Sequence, residues 1–169
     1  PQPDAAVRQG HWPKVLRPSL AGMRLGVLGL GAVGQAIARR CALGFDMPVS
    51  YHSRQPRPDQ PYRFCPTLVE LARDSDVLVI ATPGGADTRH LVDQPVLEAL
   101  GPEGFLVNIA RASVVDTNAL LQALQQRQIA GAALDVFDDE PQVPDALKVL
   151  DNVVLTPHVA GLSPQASRD

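Results

Sequence analysis

Short aliphatic runs alternate with helical patterns along most of the chain. Leu25–Leu28 reads as a strand, and Val33–Leu43 carries apolar positions at helical spacing. Pro48–Tyr51 is strand-like again, and a proline-rich loop, RQPRPDQP (Arg54 to Pro61), follows it. Thr67-Leu-Val-Glu70 has the spacing of a capping box and predicts a short helix starting there. Val77–Ala81 and Phe105–Ile109 are apolar runs of strand length. Asp116 or Thr117 can cap a helix with apolar positions at Ala119, Leu120, Ala123 and Leu124, ending before Gly131. Ala132–Val136 and Val153–Thr156 are two further strands. Ser163-Pro164 predicts one more helix start, with serine as cap and proline at the first helical position.

Six or so short strands alternating with helices predict an α/β fold: a doubly wound parallel sheet with helices on both faces, three layers deep. Unbroken runs such as VLVIA (77–81) suit strands buried on both sides. Residues 1–22 hold four of the 16 prolines and little periodicity, so they read as an arm or linker. His11-Trp12 is the expected anchor of that arm, with Trp12 as an apolar plug. The 169 residues suffice for one well-packed domain, here 23–162, with 163–169 as the start of a truncated helix.

Composition removes several classes. A hydrophobic content of 45% excludes a disordered chain, and a net charge of −3 offers no basic surface for nucleic acid. No apolar run reaches membrane-spanning length and no signal peptide opens the chain, so no membrane partner is expected. Cys41 and Cys65 lack metal-type spacing. They read as two reduced thiols of a cytoplasmic protein, and no metal is expected.

The stretch LGVLGLGAVGQAIARR (Leu25 to Arg40) contains Gly29, Gly31 and Gly34 in the pattern G-x-G-x-x-G. The pattern alone is weak and also fits an ordinary glycine-rich bend. Here a strand precedes it and a helix follows, at the start of an alternating α/β series, which is the context a Rossmann-type dinucleotide site requires. Gly29 permits the tight turn, Gly31 lets a pyrophosphate approach, and Gly34 allows close packing of helix on strand. The N–H groups of Ala32 and Val33 are candidates to hold the phosphates.

The second strand selects the dinucleotide. NAD-preferring domains place a carboxylate near its end, roughly 20 residues beyond the glycines, to bond the ribose hydroxyls. This chain reads YHSRQPR (Tyr51 to Arg57), with no carboxylate until Asp59. Ser53 is neutral, and Arg54 can fork onto a 2′-phosphate. A solvated loop arginine is the alternative. The pattern predicts NADP(H) as the preferred cofactor, with NAD(H) possible.

Ligands of open α/β sheets bind beyond the carboxyl ends of the strands. There the chain places Thr82 and Pro83, then Ala110 and Arg111, then Asp135 and the run Asp138-Asp139-Glu140-Pro141, and finally Thr156-Pro157-His158. Singly, each has an ordinary reading: a surface arginine, a solvated acidic run, a loop histidine. Together at one edge, beside a dinucleotide turn, they favour a functional site.

VNIARASVVD (107–116), DVFDDEP (135–141) and TPHVAG (156–161) resemble the signature segments of the D-isomer-specific 2-hydroxyacid dehydrogenases. ATPGG and YHSRQPRP look most like glyoxylate/hydroxypyruvate reductases, which favour NADPH. The resemblance implies that Arg111 binds the substrate carboxylate and polarises its keto group. His158 would be the general acid that protonates the carbonyl oxygen, and Glu140 its partner. A neighbouring carboxylate favours the charged form of a histidine, which keeps a proton available near neutral pH. Asp135 would bond the nicotinamide carboxamide. Ile109 and Ala110 would flank the nicotinamide, Thr82 and Pro83 the adenosine half, and Thr88 would lie near the cofactor.

Two departures stand out. Ala112 replaces the glycine that usually follows the catalytic arginine and would tilt Arg111 if the backbone there needs positive φ. Thr117 replaces a common acidic residue. The resemblance also implies a second domain, absent here, that closes the substrate pocket, so this chain alone is expected to bind cofactor and turn over little. The implied reaction is hydride transfer from NADPH to a small 2-keto acid, in a homodimer paired through the cofactor domain. Two alternatives are an NAD-preferring D-2-hydroxyacid dehydrogenase and a dinucleotide-sensing protein like the C-terminal-binding-protein corepressors.

Overall fold

The computed structural model describes residues 6–12, 14 and 19–162. Seven strands form one sheet: β1 (Leu25–Leu28), β2 (Val49–His52), β3 (Arg63–Phe64), β4 (Val77–Ile80), β5 (Phe105–Asn108), β6 (Gly131–Leu134) and β7 (Val153–Leu155). Their order is β3-β2-β1-β4-β5-β6-β7, and every neighbouring pair is parallel. The chain starts in the middle, at β1, walks out to β3, then returns and walks the other way. The direction of travel reverses between β1 and β4, so the sheet opens a crevice at their carboxyl ends.

Among the described residues, the helices that follow the strands are α1 (Ala32–Phe45), α2 (Leu68–Arg73), α3 (Gln94–Leu100), α4 (Thr117–Gln125) and α5 (Asp145–Lys148). Alternate strand residues feed two cores. Leu25, Val27 and Val79 pack with Ala38 of α1 on one face. Leu28, Leu78, Ile80 and Leu106 pack with Leu68, Leu71, Val96, Leu97, Leu120 and Leu124 on the other. The layers are therefore α1, sheet, and α2 to α4. The central strands β1 and β4 read as continuous apolar runs because both of their faces are covered.

The predicted caps form. Thr67 and Glu70 exchange backbone bonds at 3.2 Å in a capping box. Asp116, rather than Thr117, caps α4 through the N–H groups of Asn118 and Ala119. β3, α3 and α5 are additions to the sequence reading. Trp12 departs from it: the residue is 79% exposed, so it is not a buried plug among the described residues. The helix start expected at Ser163-Pro164 lies outside the described residues. Among the described residues, no helix is long and apolar enough to cross a membrane.

Candidate functional site

The glycine turn sits at the head of the crevice. Gly29 has φ 93°, and a Cβ there would lie 2.8 Å from the backbone of Thr82, at the end of β4. No other residue fits both constraints. A Cβ on Gly34 would collide with the Gly29 carbonyl, so α1 starts tight against the turn. Gly31 faces open space. It is the N-cap of α1, has no side-chain cap, and the first turn carries no acidic residue. The leading N–H groups of α1 thus keep the positive end of a 14-residue helix free for an anion.

Beside the turn, the end of β2 carries the residues expected to read the ribose. Gly29 N–H donates to the His52 carbonyl at 2.9 Å, tying the two loops together. The Ser53 hydroxyl donates to the Gln55 carbonyl at 2.6 Å, inside its own loop. Arg54 is exposed and its guanidinium makes no ion pair among the described residues.

At the end of β4, Thr82 is half-buried and Pro83 exposed. The Thr88 hydroxyl lies 2.8 Å from the Pro83 carbonyl and 3.2 Å from the Gly85 carbonyl, so its proton stays within the 82–88 loop.

The end of β5 holds Arg111 through a residue that the sequence reading passed over. Asn108 is buried (1% exposed). Its Oδ1 accepts from Ala110 N–H at 3.0 Å and its Nδ2 donates to the Arg111 carbonyl at 3.1 Å. Ile109 and Ala110, both half-buried, form the turn so fixed. The Arg111 guanidinium folds back to the Ala110 carbonyl at 2.6 Å. A Cβ on Gly84 would come 2.7 Å from Arg111 Cγ, so that glycine admits the arginine stem. Arg111 is extended (φ −143°) and Ala112 begins a 3₁₀ turn with no positive φ, so the methyl of Ala112 is accommodated.

The ends of β6 and β7 are joined by Asp135, which is 4% exposed. Its Oδ1 accepts from the Thr156 hydroxyl and from Val159 N–H (3.0 Å), and its Oδ2 from Ala160 N–H (2.9 Å). Burial pushes this carboxyl up, yet those three bonds outweigh it and hold the group below the usual carboxylate range. Asp135 therefore builds the loop that carries His158, a placement that the cofactor contact expected of it does not include. His158 sits at φ 56°, a left-handed conformation uncommon outside glycine. Its Nδ1 lies 2.9 Å from Glu140 Oε2. Glu140 Oε1 accepts from Phe137 N–H at 2.9 Å. The His158 bond, then the Phe137 N–H and the charges of His158 and Arg111, lower the Glu140 carboxyl. Nδ1 of His158 is thus engaged, while Nε2 has no partner among the described residues. Thr117, far from any capping role, donates to Asp138 at 2.8 Å and ties the acidic loop to α4.

An uncapped helix, an arginine, and a histidine oriented by a carboxylate therefore share one sheet edge. Residues 1–160 match the NAD-binding domain of the D-isomer specific 2-hydroxyacid dehydrogenases. The chain belongs to that family. It is 47% identical over 159 residues to a glyoxylate/hydroxypyruvate reductase A of Arabidopsis thaliana, covering 92% of this chain and 50% of that protein. It is 47% identical over 160 residues to a 2-ketogluconate reductase of Gluconobacter oxydans, covering 93% and 51%. The crystal structure of an NADPH-dependent glyoxylate/hydroxypyruvate reductase from Sinorhizobium meliloti, in complex with NADP and malonate, superposes with a TM-score of 0.91 at 45% identity. That match covers 98% of this chain and 53% of the other. The chain spans about half the length of the curated relatives it matches.

Proposed function

We propose that this chain is the cofactor domain of an NADPH-dependent reductase of small 2-keto acids, glyoxylate or hydroxypyruvate, yielding the D-2-hydroxy acid. Residues 23–162 would form that domain, and the part of the relatives' length that this chain does not cover would supply the substrate domain that closes the pocket. The observation that carries the reading is the Glu140–His158 pair at 2.9 Å, on the edge that also holds Arg111 and the uncapped glycine turn. The relatives named above point the same way.

A bound reduced nicotinamide dinucleotide supplies a hydride. The Ala32 and Val33 N–H groups would bond its pyrophosphate, with Gly31 leaving the approach open. Ser53 and Arg54 would take the ribose and its 2′-phosphate, Thr82 and Pro83 the adenosine side, Ile109 and Ala110 the nicotinamide, with Thr88 near the cofactor. Asp135 Oδ2 accepts one bond and keeps a lone pair for a carboxamide N–H. Arg111 would clasp the substrate carboxylate and polarise the adjacent carbonyl. His158 would hold a proton at Nε2 and give it to the carbonyl oxygen, while Glu140 at Nδ1 fixes the ring. The exposed Trp12 suits a homodimer contact through the arm, and a sedimentation experiment that finds only monomer would remove it.

The test is NADPH oxidation with a panel of 2-keto acids, in a protein that joins this chain to a substrate domain. His158→Gln is expected to lower kcat by about 10²- to 10⁴-fold while NADPH affinity stays unchanged. Undiminished turnover would remove His158 from the mechanism. Robust turnover by this chain alone would refute the division into domains.

A further inference from the structure

The turn that carries Arg54 is held from inside the core. Tyr51 is 1% exposed and lies in β2 between Val27 of β1 and Phe64 of β3. Its ring packs tilted on Phe64, centroids 5.5 Å apart, and its carbonyl accepts from Cys65 N–H at 2.8 Å. Backbone and ring are therefore fixed by the sheet. From this seat the hydroxyl reaches up and accepts the Arg57 backbone N–H at 2.7 Å. That is the loop's one bond to a core side chain among the described residues.

The other ties are local or at the base. Gly29 N–H holds His52 at the loop's entry, and the Ser53 hydroxyl bonds Gln55. Gln60 N–H returns to the Arg57 carbonyl at 3.0 Å, and the Arg57 guanidinium lies 3.6 Å from Asp59. Pro56, Pro58 and Pro61 have no N–H to offer. Residues 53–57 thus form a turn clamped at one end by the glycine loop and at the other by the Tyr51 hydroxyl. Arg54 stands between the two clamps.

We propose that the Tyr51 hydroxyl is a specificity-positioning group, holding the 53–57 turn in the shape that presents Arg54 to the 2′-phosphate of NADPH. The inference rests on the reading of Arg54 given above. It concerns discrimination rather than general affinity, because NADH carries at that position a neutral hydroxyl and no phosphate for Arg54 to pair with. A binding shape populated only part of the time lowers apparent affinity by that fraction.

The experiment is calorimetric titration of wild type, Tyr51→Phe and Arg57→Ala with NADPH and with NADH. Tyr51→Phe keeps the ring and the core, and leaves Arg57 N–H to water. If the released turn takes the presenting shape about a tenth to a third of the time, NADPH affinity falls roughly three- to tenfold and NADH affinity holds. Arg57→Ala keeps the N–H and the clamp, so the NADPH:NADH ratio is expected to persist. Equal weakening of both cofactors by Tyr51→Phe, or no change in either, overturns the proposal. So does collapse of the ratio in Arg57→Ala, which assigns the preference to the Arg57 charge. A wild-type chain with no NADPH preference fails earlier, at Arg54, and takes the inference with it.

Discussion

Asp135→Asn is the substitution whose cost can be worked most directly from the structure. The carboxylate is buried and accepts three hydrogen bonds, all from the loop that holds His158. Asparagine keeps the shape and one oxygen. That oxygen can retain the Thr156 hydroxyl and Val159 N–H, but the new NH₂ faces Ala160 N–H, donor against donor. A hydrogen bond to a charged group contributes about 1.5–3 kcal/mol. The two surviving bonds lose their charge assistance, so the whole change costs about 2–4 kcal/mol. If the cost falls on global stability, Tm drops by roughly 5–15 °C for a domain of this size. If instead the 156–160 loop opens locally, the amides of Val159 and Ala160 exchange with solvent about 30-fold to several hundredfold faster, at 1.4 kcal/mol per decade. Thermal unfolding and amide exchange, read together, separate the two. A variant with unchanged Tm and unchanged protection of Val159 and Ala160 would refute the assignment of Asp135 as the anchor of the His158 loop.

Three further predictions follow from the same geometry. Asn108→Ala leaves Ala110 N–H and the Arg111 carbonyl without their side-chain partner. In the two-domain enzyme it should raise KM for the keto acid about tenfold or more, and add nothing in an Arg111→Ala background; additive effects would sever the link. Thr156→Val removes one bond to Asp135 and should cost about 1–2 kcal/mol, measured by denaturant unfolding, with a cost equal to that of Asp135→Asn arguing against three separate bonds. The pH dependence of stability has a fixed sign. Asp76, held down first by its hydrogen bond from Arg24, and Asp135 both have folded pKa values below the unfolded ones. Their stabilisation is complete above the unfolded value of about 3.9 and is lost as pH falls through the lowered folded values. Stability should be level at mildly acidic pH and decline in more acidic solution, less steeply in Asp76→Asn; an identical slope in that variant would contradict the role of the Arg24–Asp76 pair.

Most of the architecture was legible because most of it is hydrophobic periodicity. β1 and β4 are apolar runs with residues of both faces buried, as a strand inside a covered parallel sheet requires. The capping box at Thr67 and the Asp116 cap are local chemistry, and they formed as local chemistry requires. β3 was not legible: two residues, one exposed, become a strand only because β2 offers an edge. α3 carried its signal in Asp93, whose side chain accepts Val96 N–H, and in Pro95 within the first turn. Trp12 failed for the opposite reason. Its large apolar ring suggests burial, but no described residue covers it.

At the site, residue types revealed which groups could do chemistry but not what holds them. Arg111, Glu140 and His158 announce themselves by charge and by position after a strand. Asn108 announces itself only as a polar residue closing a buried run, FLVN, and its two backbone bonds required the fold. Asp135 was visible, yet its engagement with Thr156, Val159 and Ala160 joins residues 21 to 25 positions apart, beyond any local pattern. The Tyr51 hydroxyl is likewise a core residue by pattern and a loop clamp by geometry.

The uncapped glycine turn and Arg54 together form the proposed NADPH site. Calorimetric titration of this chain with NADPH and NADH, repeated in Arg54→Asp, measures that directly. The expected result is tighter binding of NADPH, by about ten- to a hundredfold for one charge-assisted pair, and loss of that preference in the variant. Equal or tighter binding of NADH by the wild-type chain, or a preference that survives Arg54→Asp, would contradict it.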